Sequence, residues 1–268
     1  MIELFENNIK MEQRKSSKGN QLKWLNGNSW YKADYTGYEG LAEYVISQLL
    51  VFSTLPEENY ILYDTEEIRY RSVRYLGCKS KNFLPEGWQL ITLERLFQNF
   101  YSESLYKSIY RMNDIENRIR FLVEQVERIT NLKNFGRYIS ILLTVDALFI
   151  NEDRHTHNIA VLMDEKGMYH YCPIFDNGAG VCSDTTMDYP MDMEVEKMLE
   201  SAKAKTFCGS FEEQLDAVEK LYGQHVKFRF TIKDIEQILE KELYYPEEVK
   251  KRVKEILVEQ RRKYSYLF

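Results

Sequence analysis

Proline is scarce in this sequence, with 5 residues in 268, and glycine is little commoner at 12. Their joint share falls well below the roughly 12% usual in proteins, which excludes collagen-like repeats, Gly/Pro-rich linkers and broadly disordered chains. Hydrophobic residues at 44% supply enough core for one large domain or two closely packed lobes. Sustained basic blocks are also missing: Lys and Arg number 36 against 42 Asp and Glu, a net charge of −6. A dedicated binder of nucleic-acid backbone is therefore not expected, although a small local anion site is compatible with this balance. No apolar run approaches the roughly 20 residues that cross a bilayer, since the longest, positions 138–150, carries Ser140, Thr144 and Asp146. The opening Met-Ile-Glu-Leu-Phe-Glu is acidic where a signal peptide needs positive charge. A cytoplasmic protein that does not engage membranes is the expectation. Cys78, Cys172, Cys182 and Cys208 form no C-x-x-C pair, so a zinc ribbon or redox motif is unsupported and reduced, partly buried thiols are expected.

What is present begins with a small sheet. Leu22 with Trp24, and Trp30 to Lys32, read as two short strands joined at Asn26-Gly27-Asn28, a strong hairpin turn. Leu41, Tyr44, Val45, Leu49 and Phe52 then recur at helical spacing until Pro56. Positions 60–63 and 68–76 suggest an antiparallel pair around Asp64-Thr65-Glu66. Beyond Leu76 the pattern turns helical, over 90–110, 114–132 and 135–150, and again over 211–222, 232–244 and 246–264. One hairpin interrupts it, with strands at 159–163 and 168–172 flanking Asp164-Glu165-Lys166-Gly167.

Eight polar side chains crowd the loop Asn151-Glu152-Asp153-Arg154-His155-Thr156-His157-Asn158, between an apolar helix and that hairpin, and Ile174-Phe175-Asp176-Asn177-Gly178 follows. Phosphoryl transfer needs such a set: a carboxylate to accept the hydroxyl proton, with an amide oxygen and a second carboxylate to hold the magnesium that neutralises ATP phosphates. In protein kinases the base Asp precedes the metal-binding Asn by five positions, as Asp153 precedes Asn158. Asp176-Asn177-Gly178 stands where kinases carry Asp-Phe-Gly. Taken singly, Asp153, Asp176 and Asn158 also suit turns or strand caps. Their order, with a hairpin between, favours chemistry.

Asn151-x-Asp153-Arg154-His155-x-x-Asn158 resembles the catalytic loop of the HipA-like bacterial serine/threonine kinases, distant relatives of the lipid-kinase branch of the kinase fold. Upstream, Gly19-Asn20-Gln21-Leu22-Lys23 is similar to that family's G-x-Q-x-K phosphate loop. The resemblance implies that Lys32 is the ATP-binding lysine and Glu43 its ion-pair partner, that Asp153 is the base, and that Asn158 and Asp176 hold magnesium. It also implies a protein substrate and, as in the family's toxins, a neutralising antitoxin-type partner. A serine placed like Ser16, three residues before the glycine, becomes autophosphorylated in that family, so Ser16, or Ser17 beside it, is a candidate regulatory phosphosite. The family's best-known toxins carry an extra N-terminal subdomain before the phosphate loop, whereas Gly19 stands near the start of this sequence, and no function of that subdomain is carried over.

Buried Asp146 needs a partner, for which Arg154 and His155 are the candidates. Two other function classes stay open. His155-Thr156-His157 with Asp153 and Asp176 suits a metal-dependent hydrolase, and a pseudokinase would keep the fold without turnover. The expected architecture is a two-lobed, kinase-like α+β fold, with a small β-rich N-lobe over 1–76 and a larger, mainly helical C-lobe over 77–268 holding the catalytic hairpin. ATP is expected between the lobes, with the adenine contact near Val73 and Tyr75, on the strand that enters the lobe connection.

Overall fold

In the computed structural model, which describes residues 1–6 and 21–268, β1 (Ile2–Glu3) is followed by a tight hairpin of β2 (Lys23–Asn26) and β3 (Ser29–Ala33). Gly27 closes that hairpin at φ +58°, a conformation that costs glycine no steric clash. Next come the helix α1 (Glu39–Leu50), a 3-10 turn at Glu57–Asn59, and the long strands β4 (Tyr63–Tyr70) and β5 (Val73–Lys81). These strands form one sheet in the order β1-β4-β5-β3-β2, antiparallel except that β1 runs parallel to β4. Leu4, Trp24, Tyr31, Ala33, Ile68 and Tyr70 make an apolar cluster on it.

The chain folds as two units, each assembled from separated stretches. Met1–Phe83, Phe175–Ala202 and Lys227–Phe268 make the first; Leu84–Ile174 and Lys203–Val226 make the second. A division after Leu76 is not what forms, because that position lies inside β5. Cutting there would split a strand hydrogen-bonded to β3 and β4 as far as Ser80 and Lys81.

In the first unit α1 is buried on almost every side and packs on β3, β4 and β5. Close approach is what Gly40 and Gly77 allow, since a Cβ on Gly40 would meet the Gly77 backbone and one on Gly77 would meet the Lys32 carbonyl. The expected β4–β5 turn at Asp64-Thr65-Glu66 is instead continuous strand, and the reversal falls at Arg71-Ser72. Both residues have positive φ, 48° and 64°, as a two-residue hairpin requires, but neither is the Gly or Asn that signals one.

The second unit holds β6 (Gln89–Thr92), α2 (Leu93–Tyr101), α3 (Leu105–Ile109), α4 (Ile115–Thr130), α5 (Phe135–Phe149), β7 (Ala160–Met163) and β8 (Tyr169–Tyr171). The helix predicted over 90–110 thus begins as a strand. Leu90 to Thr92 pair with β7 in a β6-β7-β8 sheet, and Thr92 then caps α2 by accepting the Arg95 N–H. Helix α6 (Val195–Ser201) belongs to the first unit, α7 (Phe211–Tyr222) to the second, and α8 (Ile232–Lys241) and α9 (Glu247–Lys263) to the first. Helix α5 is buried along nearly its whole length and packs on α4 and α7. No helix among the described residues is long and apolar enough to cross a membrane.

Candidate active site

Lys32 sits on β3 directly across from Cys78 on β5. Its Nζ donates to Glu43 Oε1 of α1 at 2.5 Å and to Asp176 Oδ1 at 2.7 Å. Burial opposes the charge of Lys32, but the carboxylates of Asp176 and Glu43 outweigh it and hold the ammonium well above its ordinary value. The second oxygen of Glu43 accepts the Asn177 backbone N–H at 2.9 Å. A carboxylate only 1% exposed is thereby satisfied at both oxygens, by a cation and by the loop that carries the other carboxylate.

That loop is fastened to the first turn of α1. Tyr38 donates its phenol O–H to the carbonyls of Val181 and Cys182, at 2.8 and 2.9 Å, and its backbone N–H to Ser183. Val181 and Cys182 both have positive φ, which is rare for a β-branched residue and marks a segment held against its preference. Asp176 too lies in the left-handed region, at φ +60°. Farther along, buried Arg252 of α9 donates to the carbonyls of Tyr189 and Pro190. These contacts make 175–202 part of the first unit.

An apolar cluster borders the lysine. Ile61, Tyr63 and Cys78, with Phe83 and Phe175 packed against them, form it, and the Tyr63 ring lies 5.2 Å from Lys32 Nζ. Val73 and Tyr75 are elsewhere: Val73 is half exposed beside the Arg71-Ser72 turn, and Tyr75 packs on the Leu4–Trp24 cluster. The strand leaving the sheet ends at Lys81, so the expectation that Val73 to Leu76 enter the connection is corrected by the later turn.

In the second unit, α5 ends at Ile150, which is left-handed at φ +55°, and the polar loop begins. Asp146, fully buried on the last turn of α5, accepts from Arg154 Nε at 3.1 Å on both oxygens and from Asn151 Nδ2 at 3.0 Å. Burial pushes the Asp146 carboxyl above its ordinary value, against the pull of Arg154. Arg154 Nη1 also reaches the Asn158 carbonyl at 3.0 Å, so one buried guanidinium ties the helix to the far end of the loop. Asn158 Nδ2 donates to the Asp153 carbonyl at 2.9 Å and to its Oδ2 at 3.3 Å. Its Oδ1 keeps no hydrogen-bond donor among the described residues.

Lys32, Glu43 and Asp176 are thus brought together in the first unit, and Asp153 and Asn158 in the second. Gln21 is half-buried just before β2, while Gly19, Asn20, Ser16 and Ser17 lie outside the described residues. His155 and His157 sit in a loop rather than a strand, their rings 5.6 Å apart and nearly perpendicular. Among the described residues no group of three or more His, Cys, Asp or Glu is arranged to hold a metal ion.

No family model matches the sequence, and no curated protein matches it. Among solved structures, the crystal structure of a Helicobacter pylori proinflammatory kinase, CtkA, is similar with a TM-score of 0.61 and 16% identity, over 98% of this chain and 95% of that one. At that identity the likeness concerns architecture, and the architecture of this protein is a kinase-like α+β fold.

Proposed function

We propose that this protein transfers the γ-phosphoryl group of ATP, with magnesium, to a serine or threonine hydroxyl of a protein. The observation that carries the reading is Lys32 Nζ clasped between Glu43 at 2.5 Å and Asp176 at 2.7 Å. A buried cation shared by two carboxylates from distant chain segments suits a phosphate-binding lysine held in place by its ion-pair partner, with Asp176 as the metal carboxylate. The apolar cluster of Tyr63, Cys78, Phe83 and Phe175 beside it suits a nucleobase.

Magnesium is a hard cation that takes oxygen ligands. Asp176 of the first unit would supply a carboxylate, and Asn158 of the second, whose nitrogen is occupied by Asp153, would supply an amide oxygen. When bound, the ion neutralises charge on the phosphates. Asp153 orients the acceptor hydroxyl and takes its proton as the hydroxyl oxygen bonds to the γ-phosphorus and the bond to the bridging oxygen of ADP breaks. The resemblance to HipA-like kinases supports the serine/threonine acceptor, a toxin or regulatory role, and a neutralising antitoxin-type partner.

Incubation with radiolabelled ATP and magnesium, alone and with cell lysate, tests the reading. Label on protein serine or threonine, lost in Asp153→Asn, is expected. A wild-type protein that neither transfers label nor gains thermal stability from Mg-ATP would remove it.

A further inference from the structure

The second unit contains a cavity of about 550 Å³ that the chemistry above does not use, bordered by Tyr106, Tyr110, Arg118, His155, Lys205 and Cys208. We infer that this cavity receives an acidic side chain of the acceptor polypeptide, close to the hydroxyl that is phosphorylated, and makes the protein select acid-flanked acceptors. The inference rests on the phosphotransfer reading for its acceptor and on the cavity alone for its charge preference.

Its position follows from bonds within the unit. His155 lines the cavity while its Nε2 lies 3.6 Å from Oδ1 of Asp153, the candidate base. The segment that contributes Ala204 and Lys205 to the lining is fastened to the same loop twice: the Lys203 N–H donates to Glu152 Oε1 at 2.9 Å, and Thr206 Oγ1 donates to the Arg154 carbonyl at 2.6 Å. A side chain seated here belongs to a polypeptide that passes the base.

Two cations at the cavity's border, Arg118 and Lys205, make no ion pair among the described residues. Arg118 is held by donation from Nε to the Met112 carbonyl at 3.2 Å and from Nη1 to the Phe207 carbonyl at 2.7 Å, with its guanidinium 4.6 Å from the centre of the Tyr110 ring. None of these partners is a carboxylate, and Nη2 has no hydrogen-bond partner among the described residues. Lys205 is exposed and makes no ion pair among the described residues. Glu213 is near enough to act on Cys208 but pairs with neither cation. In a protein of net charge −6, two unpaired cations facing one cavity make a local anion site, and a guanidinium already fixed by two bonds loses little freedom on taking a third. Tyr106 and Tyr110, rings 4.7 Å apart, offer apolar faces to the stem of a long acidic residue.

The test uses fluorescent serine-centred peptides in which Glu, phosphoserine or Lys is fixed in turn at each flanking position. Binding is read by anisotropy without nucleotide, then transfer with Mg-ATP, for wild type and the surface variants Lys205→Glu and Lys205→Ala. At one flanking position the Glu peptide is expected to bind wild type at least about tenfold more tightly than the Lys peptide, a preference lost in Lys205→Glu, with KM for the Glu peptide rising by a similar factor. Comparing Glu with phosphoserine decides whether carboxylate or phosphate is the better occupant. Equal binding of Glu and Lys peptides at every position, or a Glu preference that survives in Lys205→Glu, overturns the inference. Transfer without acidic preference removes the cavity's role and leaves the phosphotransferase. Acidic preference without transfer to any peptide or protein does the reverse.

Discussion

Glu43 accepts the backbone N–H of Asn177 at 2.9 Å through one oxygen while its other oxygen holds Lys32. One buried carboxylate therefore sets both the lysine and the turn that presents Asp176. Replacing it by the isosteric amide turns an NH2 group toward either the Lys32 ammonium or the Asn177 N–H, so one of the two contacts is lost whichever way the amide turns. Removing one partner of a buried pair costs about 3 kcal/mol or more. Glu43→Gln is expected to lose about that much by urea unfolding and at least tenfold in phosphotransfer. A variant as stable and as active as wild type would show that the contact positions nothing.

Asp176 carries charge and a left-handed backbone together, and the two are separable. Asn tolerates φ +60° better than Ala does. Asp176→Asn is therefore expected to remain closer to wild type in thermal midpoint than Asp176→Ala, while both lower turnover by at least about a hundredfold and weaken Mg-ATP binding. Calorimetry with ATP titration checks both parts. If Asp176→Asn binds Mg-ATP as wild type does, Asp176 is not the metal carboxylate.

Arg154 has its charge partner in Asp146 and its reach in the Asn158 carbonyl. Lysine supplies one point charge and cannot make both contacts, so Arg154→Lys is expected to destabilise by about 1–3 kcal/mol, the cost of leaving a buried acceptor unsatisfied, and to lower turnover through misplacement of Asn158. The double variant Asp146→Leu/Arg154→Met removes both buried charges, and recovery of stability without recovery of turnover is the expected signature of a positioning pair. Recovered turnover would show that the loop does not need this tie.

How much of this was legible depended on how local the cause was. Asn26-Gly27-Asn28 announced its hairpin because the φ value it needs is one that glycine permits. Arg71-Ser72 adopts the same kind of turn under tertiary constraint, with no residue to announce it, and the β4–β5 pairing was displaced accordingly. Leu90 to Thr92 are a strand only because β7 lies beside them, a partner some 70 positions away. The loop from Asn151 to Asn158 was readable because its spacing is internal, and Asp146 was readable because a buried acid demands a cation. The bolt from Tyr38 to Val181 and Cys182 joins residues 143 and 144 positions apart, with hydroxyl and carbonyl groups that every sequence contains. No pattern in the chain distinguishes them.

Asp34 gives the first unit a pH dependence that can be read directly. Its Oδ1 accepts the Gly40 N–H at 2.6 Å and its Oδ2 accepts the Tyr245 phenol at 2.7 Å, so it joins the start of α1 to the segment between α8 and α9. Burial and then the nearby carboxylate of Glu39 push its pKa from 3.8 up to about 7, and the two hydrogen bonds only partly oppose them. The folded value lies above the unfolded one, so the folded protein holds an extra proton in the interval between them. The stabilisation from this group is complete below pH 3.8 and is lost as pH rises through about 7. Within that window the slope for a single proton is at most about 1.4 kcal/mol per pH unit. Asparagine keeps an acceptor for Gly40 and offers its amide to the Tyr245 oxygen without titrating. The difference in unfolding free energy between Asp34→Asn and wild type is therefore expected to grow in favour of the variant from pH 4 to pH 7 and to level off above. Urea unfolding at unit pH steps checks it, and a difference that stays constant across the window would show that Asp34 titrates at its ordinary value despite its burial.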